Sequence, residues 1–316
     1  MIDIENKYLI GDNIDLLKQI DDKTVTLCYL DPPFNTGRNF DDFNDKWKNA
    51  DEYLDFLKLR LIEIHRILKN DGNIVVHVDA KIAYKIRIIL DEIFNEKNYQ
   101  NEIVWKTTGN KKSLKQLARS YDILIVYSKT AKNRNSFAAK KNIYNPLYKP
   151  YDDKYMEKNN VKMCEIHKKY YVTTAAHNSQ PNVNPRLNLR YEWNGHFEQW
   201  YLEKEKIQQM DANNRLEYNK QGIPRIKRFL DEMKGIPIRD VWDDISSIQG
   251  GEKLDYATQK PIKLLERVIN IYSNEGDLVL DPFAGSGTTG RACIKLKRKY
   301  ILMDKNEKGR RVWEGS

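Results

Sequence analysis

Four consecutive residues near the N-terminus, Asp31-Pro32-Pro33-Phe34, combine groups suited to an amino group on a flat ring. They follow the apolar run Thr24–Leu30, which predicts a buried parallel strand, and doubly wound sheets place ligand chemistry at such strand ends. The two prolines stiffen the turn and remove two N–H donors, so the local backbone offers carbonyl acceptors. Asp31 and the Pro32 carbonyl can then accept two amino hydrogens while Phe34 stacks on the ring. The alternative is a rigid loop with an N-capping aspartate and a core phenylalanine.

A second candidate segment is GSGTTG at residues 285–290, which follows a predicted strand and opens a predicted helix. Glycines let the backbone approach a ligand closely, and Asp304, at the end of the next predicted strand, can accept both hydroxyls of a ribose. Asp281, at the end of the preceding strand, repels a pyrophosphate but suits the ammonium of an amino-acid-like cofactor. The glycine segment alone also fits a NAD-dependent oxidoreductase, or a tight turn with no ligand.

Apolar periodicity predicts the elements that position these two segments. Helices are predicted between most of the strands, and alternating strands and helices indicate an α/β fold with a doubly wound, largely parallel sheet. The stretch from about 130 to 250 has weak helical periodicity and reads as an inserted module with its own small core. The seven predicted strands are Lys7–Ile10, Thr24–Leu30, Asn73–Val78, Asn101–Trp105, Tyr121–Ser128, Asp277–Asp281 and Lys299–Asp304.

Composition narrows the classes of protein. The formal charge is +9, and residues 101–235 alone carry a net charge of +12. This basic stretch suggests a polyanionic partner, and a solubilising Lys-rich surface is an equal alternative on charge alone. Three scattered cysteines, without CxxC or HExxH, predict neither a disulfide framework nor a metal site. No apolar run is long enough to span a bilayer, and the first residues lack the pattern of a signal peptide, so we expect a cytoplasmic protein without a membrane partner.

Taken together, the motifs resemble those of the DNA amino-methyltransferases that use S-adenosylmethionine. The catalytic motif of that family, (D/N/S)-P-P-(Y/F), matches residues 31–34, and its cofactor loop, FxGxG, matches residues 283–287. A catalytic motif that precedes the recognition region and the cofactor loop is the order of the β group. Further stretches resemble the same family, the last two in type III adenine modification subunits: Gly11-Asp12, TQKP at 258–261, YEWNG at 191–195 and residues 227–245.

The resemblance implies a seven-stranded, circularly permuted, Rossmann-like methyltransferase sheet that begins at its third strand and ends just after its second. It implies a catalytic half at residues 1–130, an inserted target-recognition region at 131–250 and a cofactor-binding half at 251–316. It gives catalytic roles to Asp31, Pro32, Pro33 and Phe34. The residues that it assigns to S-adenosylmethionine are Asp12, Gln259, Lys260, Pro261, Asp281, Phe283, Gly285, Gly287, Thr288, Thr289 and Asp304.

The implied reaction is methyl transfer to N6 of an adenine flipped out of double-stranded DNA. The aspartate that begins the tetrapeptide favours adenine, since cytosine-N4 enzymes of the family usually carry serine there, and cytosine N4 is the alternative. Protein-glutamine methylation, NAD-dependent oxidation and non-catalytic DNA binding are more remote. A cognate restriction endonuclease and a homodimer are further expectations about partners, whereas the recognition sequence does not follow from the residues.

The DNA contacts are expected in the basic loop at residues 106–120. Four cations crowd this loop between two predicted strands, and we expect them to bind phosphates; the alternative is a solvated run of charge. The aromatic residues of the inserted module are expected to form its core rather than to wedge between bases. The four cations are Lys111, Lys112, Lys115 and Arg119, and the aromatic residues are Trp193, Phe197, Trp200 and Tyr201.

Overall fold

The structure is a computed structural model, and two compact units divide the chain. Unit 1 comprises Met1–Leu147 and Arg239–Ser316, and unit 2 comprises Tyr148–Ile238. No helix within the described part of the chain is both long and apolar enough to cross a membrane. The residues that the structure describes are 4–34, 38–39, 44–45, 47–107, 117, 120–130, 148–164, 168–176, 187–248, 250–256 and 258–315.

Strands and helices alternate along both ends of the chain. The elements are β1 (Lys7–Ile10), α1 (Asn13–Leu17), β2 (Val25–Leu30), β3 (Arg38–Asn39), β4 (Asn44–Asp45), α2 (Ala50–Ile67), β5 (Leu68–Asp79), α3 (Ala83–Phe94), β6 (Tyr99–Lys106), β7 (Tyr121–Ser128), β8 (Tyr148–Lys149), α4 (Asp153–Lys158), β9 (Lys162–Met163), β10 (Lys169–Thr174), β11 (Arg190–Trp193), β12 (His196–Gln199), α5 (Lys204–Ala212), β13 (Leu216–Tyr218), β14 (Pro224–Phe229), β15 (Ile236–Pro237), β16 (Val241–Trp242), α6 (Ile262–Tyr272), β17 (Leu278–Asp281), α7 (Thr288–Lys295), β18 (Lys299–Asp304) and α8 (Glu307–Glu314).

Unit 1 is built on a mixed eight-stranded sheet in the order β1-β18-β17-β2-β5-β7-β6-β16. The strands from β1 to β5 in this order are parallel, whereas β7 is antiparallel to both of its neighbours. The first strand of the chain pairs with the last, Ile10 lying opposite Asp304, which is the arrangement expected of a permuted sheet. The carboxyl ends of β1, β2, β17 and β18 therefore share one edge, where both candidate segments lie.

The sheet differs from the prediction by one strand. The seven predicted strands are all present, and the short β16 adds an eighth by pairing in parallel with β6, Trp242 opposite Trp105. Two residues are too few to show periodicity, so the sequence pattern could not reveal β16. Strand β5 also begins earlier than predicted, at Leu68, and continues through Asp71-Gly72. The α/β class with a Rossmann-like sheet is confirmed.

The main core of unit 1 lies between the sheet and helices α1, α2 and α3. Apolar residues at helical spacing, such as Leu57, Leu61 and Ile64 of α2, are fully buried in it. Cys28 of β2 is also fully buried there. Helix α6 buries a separate set of apolar residues and contacts β2 and α7. Helices thus pack against the strands whose carboxyl ends carry the candidate site.

Unit 2 contains an antiparallel sheet in the order β13-β14-β10-β9 and the hairpin β11–β12. Its core contains Trp200, which is fully buried, and Trp193 packs against that core. The prediction that the aromatic residues of the inserted module form its core is wrong for Phe197 and Tyr201, which are 72% and 49% exposed. Phe197 lies on the outer face of the two-stranded hairpin, and nothing in an alternating pattern says which face of an isolated hairpin is covered.

Candidate active site

A cavity of about 1010 Å³ opens at the edge of the unit 1 sheet. Its walls come from the segments that follow β1, β2, β17 and β18, from residues of α2 and from the segment that precedes α6. Because parallel strands end at the same edge, residues far apart in the sequence meet there. The predicted site residues on its wall are Asp12, Asp31, Pro32, Pro33, Phe34, Gln259, Lys260, Asp281, Phe283, Gly285, Thr288, Thr289 and Asp304.

Asp31 follows the fully buried strand β2 and is paired with a lysine. The Nζ atom of Lys260 donates to Oδ2 of Asp31 at 2.6 Å, and the two side chains are only 14% and 16% exposed. The same ammonium lies 5.2 Å from the ring centroid of Phe34, within range of a cation–π contact. Lys260, assigned to the cofactor from the sequence, therefore contacts Asp31 and Phe34, and it occupies one of the two carboxylate oxygens of Asp31.

Asp281 ends β17 and is 2% exposed. Its carboxylate accepts hydrogen bonds from the Thr289 hydroxyl and, at 3.0 Å, from the Phe283 N–H. Burial raises the pKa of Asp281 to about 7, and the nearby carboxylates of Asp31 and Asp304 act in the same direction, whereas the two hydrogen bonds oppose it. Among the described residues, the two hydrogen-bond donors to this buried acid are both neutral.

The glycine turn is held against Asp304 and packed too tightly for side chains. The Gly285 N–H donates to Oδ2 of Asp304 at 2.9 Å, and the Tyr8 hydroxyl donates to the Gly285 carbonyl at 2.6 Å. Gly285 has a φ of +50°, and a Cβ there would lie 2.8 Å from the Tyr256 ring. Both observations explain why glycine is required, and the backbone is left open to a ligand in the cavity.

Asp12 is positioned by an arginine that the sequence did not identify. Arg60 of α2 is 4% exposed and donates to Asp12 at 2.7 Å, to Asn13 and to the Phe56 carbonyl. Asn13 in turn donates to the Pro282 carbonyl at 2.7 Å, which links the segment after β1 to the cofactor loop. A sequence signal did exist: Arg60 stands at core spacing between Leu57 and Ile64, where a charge is costly unless it is paired.

The other predicted residues contribute in different ways. Gln259 accepts from the Leu254 N–H and donates to the Glu252 carbonyl, so it shapes the segment before α6. Thr288 accepts from Arg291. Pro261 and Gly287 do not line the cavity. Pro261 is the N-cap residue of α6, and Gly287 packs against Trp313, which a Cβ there would meet. The assignment of these two residues to the cofactor stays a prediction. The four cations predicted to bind DNA lie outside the described residues: Lys111, Lys112, Lys115 and Arg119.

Metal chemistry has no candidate ligands in the described ranges, where no group of three or more His, Cys, Asp or Glu side chains could hold an ion. The cavity instead combines several carboxylates, among them Asp31, Asp281 and Asp304, with a glycine turn and an aromatic ring next to an acid. This set suits a cationic or amino-bearing ligand together with ribose hydroxyls, rather than a phosphate-rich one.

Comparison with known proteins agrees with this geometry. The sequence model of a family described as DNA methylase, N6_N4_Mtase, matches residues 25–313. The type II methyltransferase M.EcaI of Enterobacter cloacae is 31% identical over 96% of this chain and 67% of its own length. The DNA adenine methyltransferase YhdJ of Escherichia coli K12 is 28% identical over 96% of this chain and 79% of its own length.

A solved structure shows the same fold. The complex of M1.HpyAVI with SAM has a TM-score of 0.53 at 16% sequence identity, covering 98% of this chain and 97% of that one. The match to the family model spans both candidate segments, from β2 to α8. The chain belongs to the N6_N4_Mtase family of DNA methylases.

Proposed function

We propose that this protein transfers a methyl group from S-adenosylmethionine to N6 of an adenine flipped out of double-stranded DNA, as part of a restriction–modification system. The observation that carries the proposal is that Asp31 and the glycine turn line one cavity, together with Asp281 and Asp304. An acceptor for an amino group and a holder for the methyl donor are thereby within one enclosed volume. The similarity to YhdJ, which is named a DNA adenine methyltransferase, supports adenine as the target base.

The residues present fit S-adenosylmethionine. Asp281 is a buried carboxylate that a ligand ammonium can pair with, and Asp304 offers acceptors to ribose hydroxyls. The tight turn at Gly285, where a Cβ would meet Tyr256, lets backbone approach the methionine part of the cofactor. When bound, the cofactor supplies an electrophilic methyl group on a sulfonium.

The chain itself prepares the acceptor nitrogen. The lone pair of an adenine amino group is delocalised into the ring, so the nitrogen is a poor nucleophile. Asp31 and the Pro32 carbonyl accept hydrogen bonds from the two amino hydrogens, which localises that lone pair toward the methyl group. As the nitrogen–methyl bond forms, the sulfur–methyl bond breaks and one amino proton is released to solvent. Phe34 stacks on the base, and catalysis rests on positioning and electrostatics without a covalent enzyme intermediate. The fully buried Cys28, whose pKa is raised by burial, takes no part.

The target base must leave the duplex, because neither the tetrapeptide at residues 31–34 nor the bound methyl donor can reach an amino nitrogen inside stacked DNA. Flipping costs a few kcal/mol, of which stacking on Phe34 recovers part. The cations Lys111, Lys112, Lys115 and Arg119 hold phosphates of the duplex in this proposal. The target-recognition region at residues 131–250 contains unit 2 in this proposal. A cognate endonuclease and a second copy of the chain are the expected partners of the protein. Cytosine N4 is the alternative acceptor, since the family name covers both amino groups.

Labelled methyl transfer to duplex DNA tests the reaction. We expect Asp31→Ala to lower transfer by at least about a hundredfold, because an acceptor for the amino group is lost, and to leave affinity for S-adenosylhomocysteine nearly unchanged. Asp15→Asn is the matched control, since Asp15 is an exposed aspartate of α1.

Methylation mapping of DNA from cells that produce the protein identifies the base and the site together. N6-methyladenine at one sequence supports the proposal, and N4-methylcytosine would favour the alternative. Transfer at the wild-type rate by the Asp31→Ala variant would exclude Asp31 from the mechanism. Absence of methyl transfer to any DNA by the wild-type protein would overturn the proposal as a whole.

A further inference from the structure

A buried histidine stands behind Phe34 and is not used by the reaction proposed above. His77 of β5 is fully buried, and both of its ring nitrogens have polar partners. The Tyr29 hydroxyl lies 2.7 Å from Nδ1, and Oδ2 of Asp122 lies 3.3 Å from Nε2. Tyr29, His77 and Asp122 come from the neighbouring strands β2, β5 and β7, so three rigid strands fix this chain of hydrogen bonds.

The partners determine where the hydrogens lie. An ionised carboxylate can only accept, so the tautomer of His77 that pairs with Asp122 carries its hydrogen on Nε2. Nδ1 is then an acceptor and takes the hydroxyl hydrogen of Tyr29. Burial and the carboxylates of Asp31, Asp281 and Asp122 raise the pKa of Tyr29, which keeps the phenol neutral and able to donate. The two hydrogen bonds, one at each ring nitrogen, hold the orientation of the ring.

The immobilised ring is in contact range of the predicted base-stacking residue. The ring centroids of His77 and Phe34 are 6.0 Å apart with an interplanar angle of 45°. Trp105 of β6 packs edge-on against His77 at 5.6 Å, and its indole N–H donates to the Ile245 carbonyl at 2.9 Å. Phe34 and Tyr29 both line the cavity, whereas His77 lies behind them. His77 therefore acts on the cavity only through its neighbours.

We propose that His77 is a positioning residue for the target base: held between Tyr29 and Asp122, its ring supports Phe34 in the orientation in which the flipped base stacks on it. The inference rests on the proposed function, and it adds a residue that neither the tetrapeptide nor the cofactor loop contains. A side chain without the two hydrogen bonds leaves Phe34 free to tilt, so stacking on the base is lost while the cofactor side of the cavity is unaffected.

The test compares kcat/KM for a duplex containing the mapped site in a set of variants. We expect His77→Leu to lower kcat/KM about tenfold, a loss of the size of one base–aromatic stacking contact. His77→Gln can still donate to one partner and accept from the other, so it restores part of the rate. Tyr29→Phe removes one of the two bonds and gives a smaller loss. Affinity for S-adenosylhomocysteine stays within about twofold of wild type, since stacking of the base is a separate interaction.

Matched controls separate positioning from general damage to the fold. His65→Leu removes another histidine that packs edge-on against an aromatic ring, that of Phe94. Tyr127→Phe removes another buried hydroxyl with a carboxylate partner, Asp91. Both lie away from the cavity, and we expect them to change stability but not kcat/KM.

A double-mutant cycle with Phe34→Ala is decisive. If His77 acts through Phe34, His77→Leu lowers kcat/KM no further once Phe34 is gone. Additive losses, or wild-type kcat/KM in folded His77→Leu and Tyr29→Phe variants, would overturn the inference and leave the proposed function intact. Should His77→Leu fail to fold, the same cycle with His77→Gln decides. If the wild-type protein methylates no DNA, both the proposed function and this inference are wrong.

Discussion

At the scale of single residues, the charge of Asp281 decides how the cavity responds to pH. Burial raises its pKa to about 7, so the acid is largely protonated below neutral pH when no cation is near. A ligand ammonium at this carboxylate favours the ionised form. Binding of the ligand must therefore release a proton whenever the pH lies below that pKa.

The expected result is a pH-dependent affinity for S-adenosylhomocysteine, which carries the same ammonium as the methyl donor. The affinity falls by up to about tenfold per pH unit below pH 7 and is constant above it. Calorimetry between pH 5.5 and 8 measures this dependence. Asp281→Asn should bind weakly throughout, with no change over that interval. Affinity of the wild-type protein that is independent of pH would exclude an ammonium partner for Asp281.

The raised pKa of Asp281 also affects stability, and here the pH dependence is reversed: ligand affinity falls as the pH is lowered, whereas stability falls as the pH is raised. The native protein holds the Asp281 proton more tightly than the unfolded chain does, whose carboxyl has the ordinary pKa of 3.8. The contribution of Asp281 to the free energy of unfolding is therefore favourable at low pH and is lost as the pH rises toward 7. Without cofactor, Asp281→Asn should have a higher melting temperature than wild type at pH 8, and the difference should shrink at pH 5. A melting temperature at or below that of wild type at pH 8 would contradict this reasoning.

Residue types and their neighbours in the sequence were enough to identify Asp31, Asp281 and Asp304, because each ends a strand that periodicity predicts. Arg60 and the pairing of Lys260 with Asp31 could not be predicted in the same way. Lys260 lies 229 positions from Asp31, and only the tertiary fold brings the two side chains to 2.6 Å. Local patterns identify groups, whereas their long-range partners depend on tertiary packing.

At the scale of elements, the approach of helix α8 to the glycine turn makes Gly309 critical. A Cβ at Gly309 would overlap the Gly285 carbonyl, which also accepts the Tyr8 hydroxyl hydrogen bond. Gly309 can therefore be replaced only if α8 or the turn moves. The turn is the part of the cavity assigned to the cofactor, so stability and cofactor binding are coupled here.

We expect Gly309→Ala to destabilise the protein by about 1–3 kcal/mol, as overpacking does, although alanine favours helices. The variant should also bind S-adenosylhomocysteine more weakly. Gly251→Ala is the matched control, because a Cβ there meets nothing within 4 Å. Urea unfolding and calorimetry on both variants measure the two effects. If the two variants behave alike, α8 does not constrain the turn.

Predictability of the elements depended on their length and spacing. The buried strand β2 and the helix α6 could be predicted because four or more apolar residues repeat at one spacing. Strand β16 could not, since two residues show no period, and its place is fixed by pairing with β6 at the sheet edge. The same limit applies to Phe197, whose exposure depends on what covers the hairpin rather than on the hairpin itself.

At the scale of the whole molecule, the chain enters and leaves unit 2 at one place. Strands β8 and β15 are antiparallel, and Tyr148 lies directly opposite Pro237. Residues that face each other across an antiparallel pair are only about 5 Å apart. Since no described residue of Tyr148–Ile238 belongs to the main core of unit 1, a short bridge between these two points leaves that core complete.

Replacing Tyr148–Ile238 with a Gly-Ser linker of about four residues tests the division of labour between the units. The remaining chain should fold, because it keeps the eight-stranded sheet and the cavity. Its affinity for S-adenosylhomocysteine should be close to that of the full chain, and Asp281→Asn should weaken that binding in the shortened chain as in the full one. Methyl transfer to the mapped site should be lost, because unit 2 is proposed to recognise the sequence. If the shortened chain still methylates the same site at the wild-type rate, recognition of the sequence belongs to unit 1 and not to unit 2. If it folds but does not bind the cofactor, the cavity depends on unit 2.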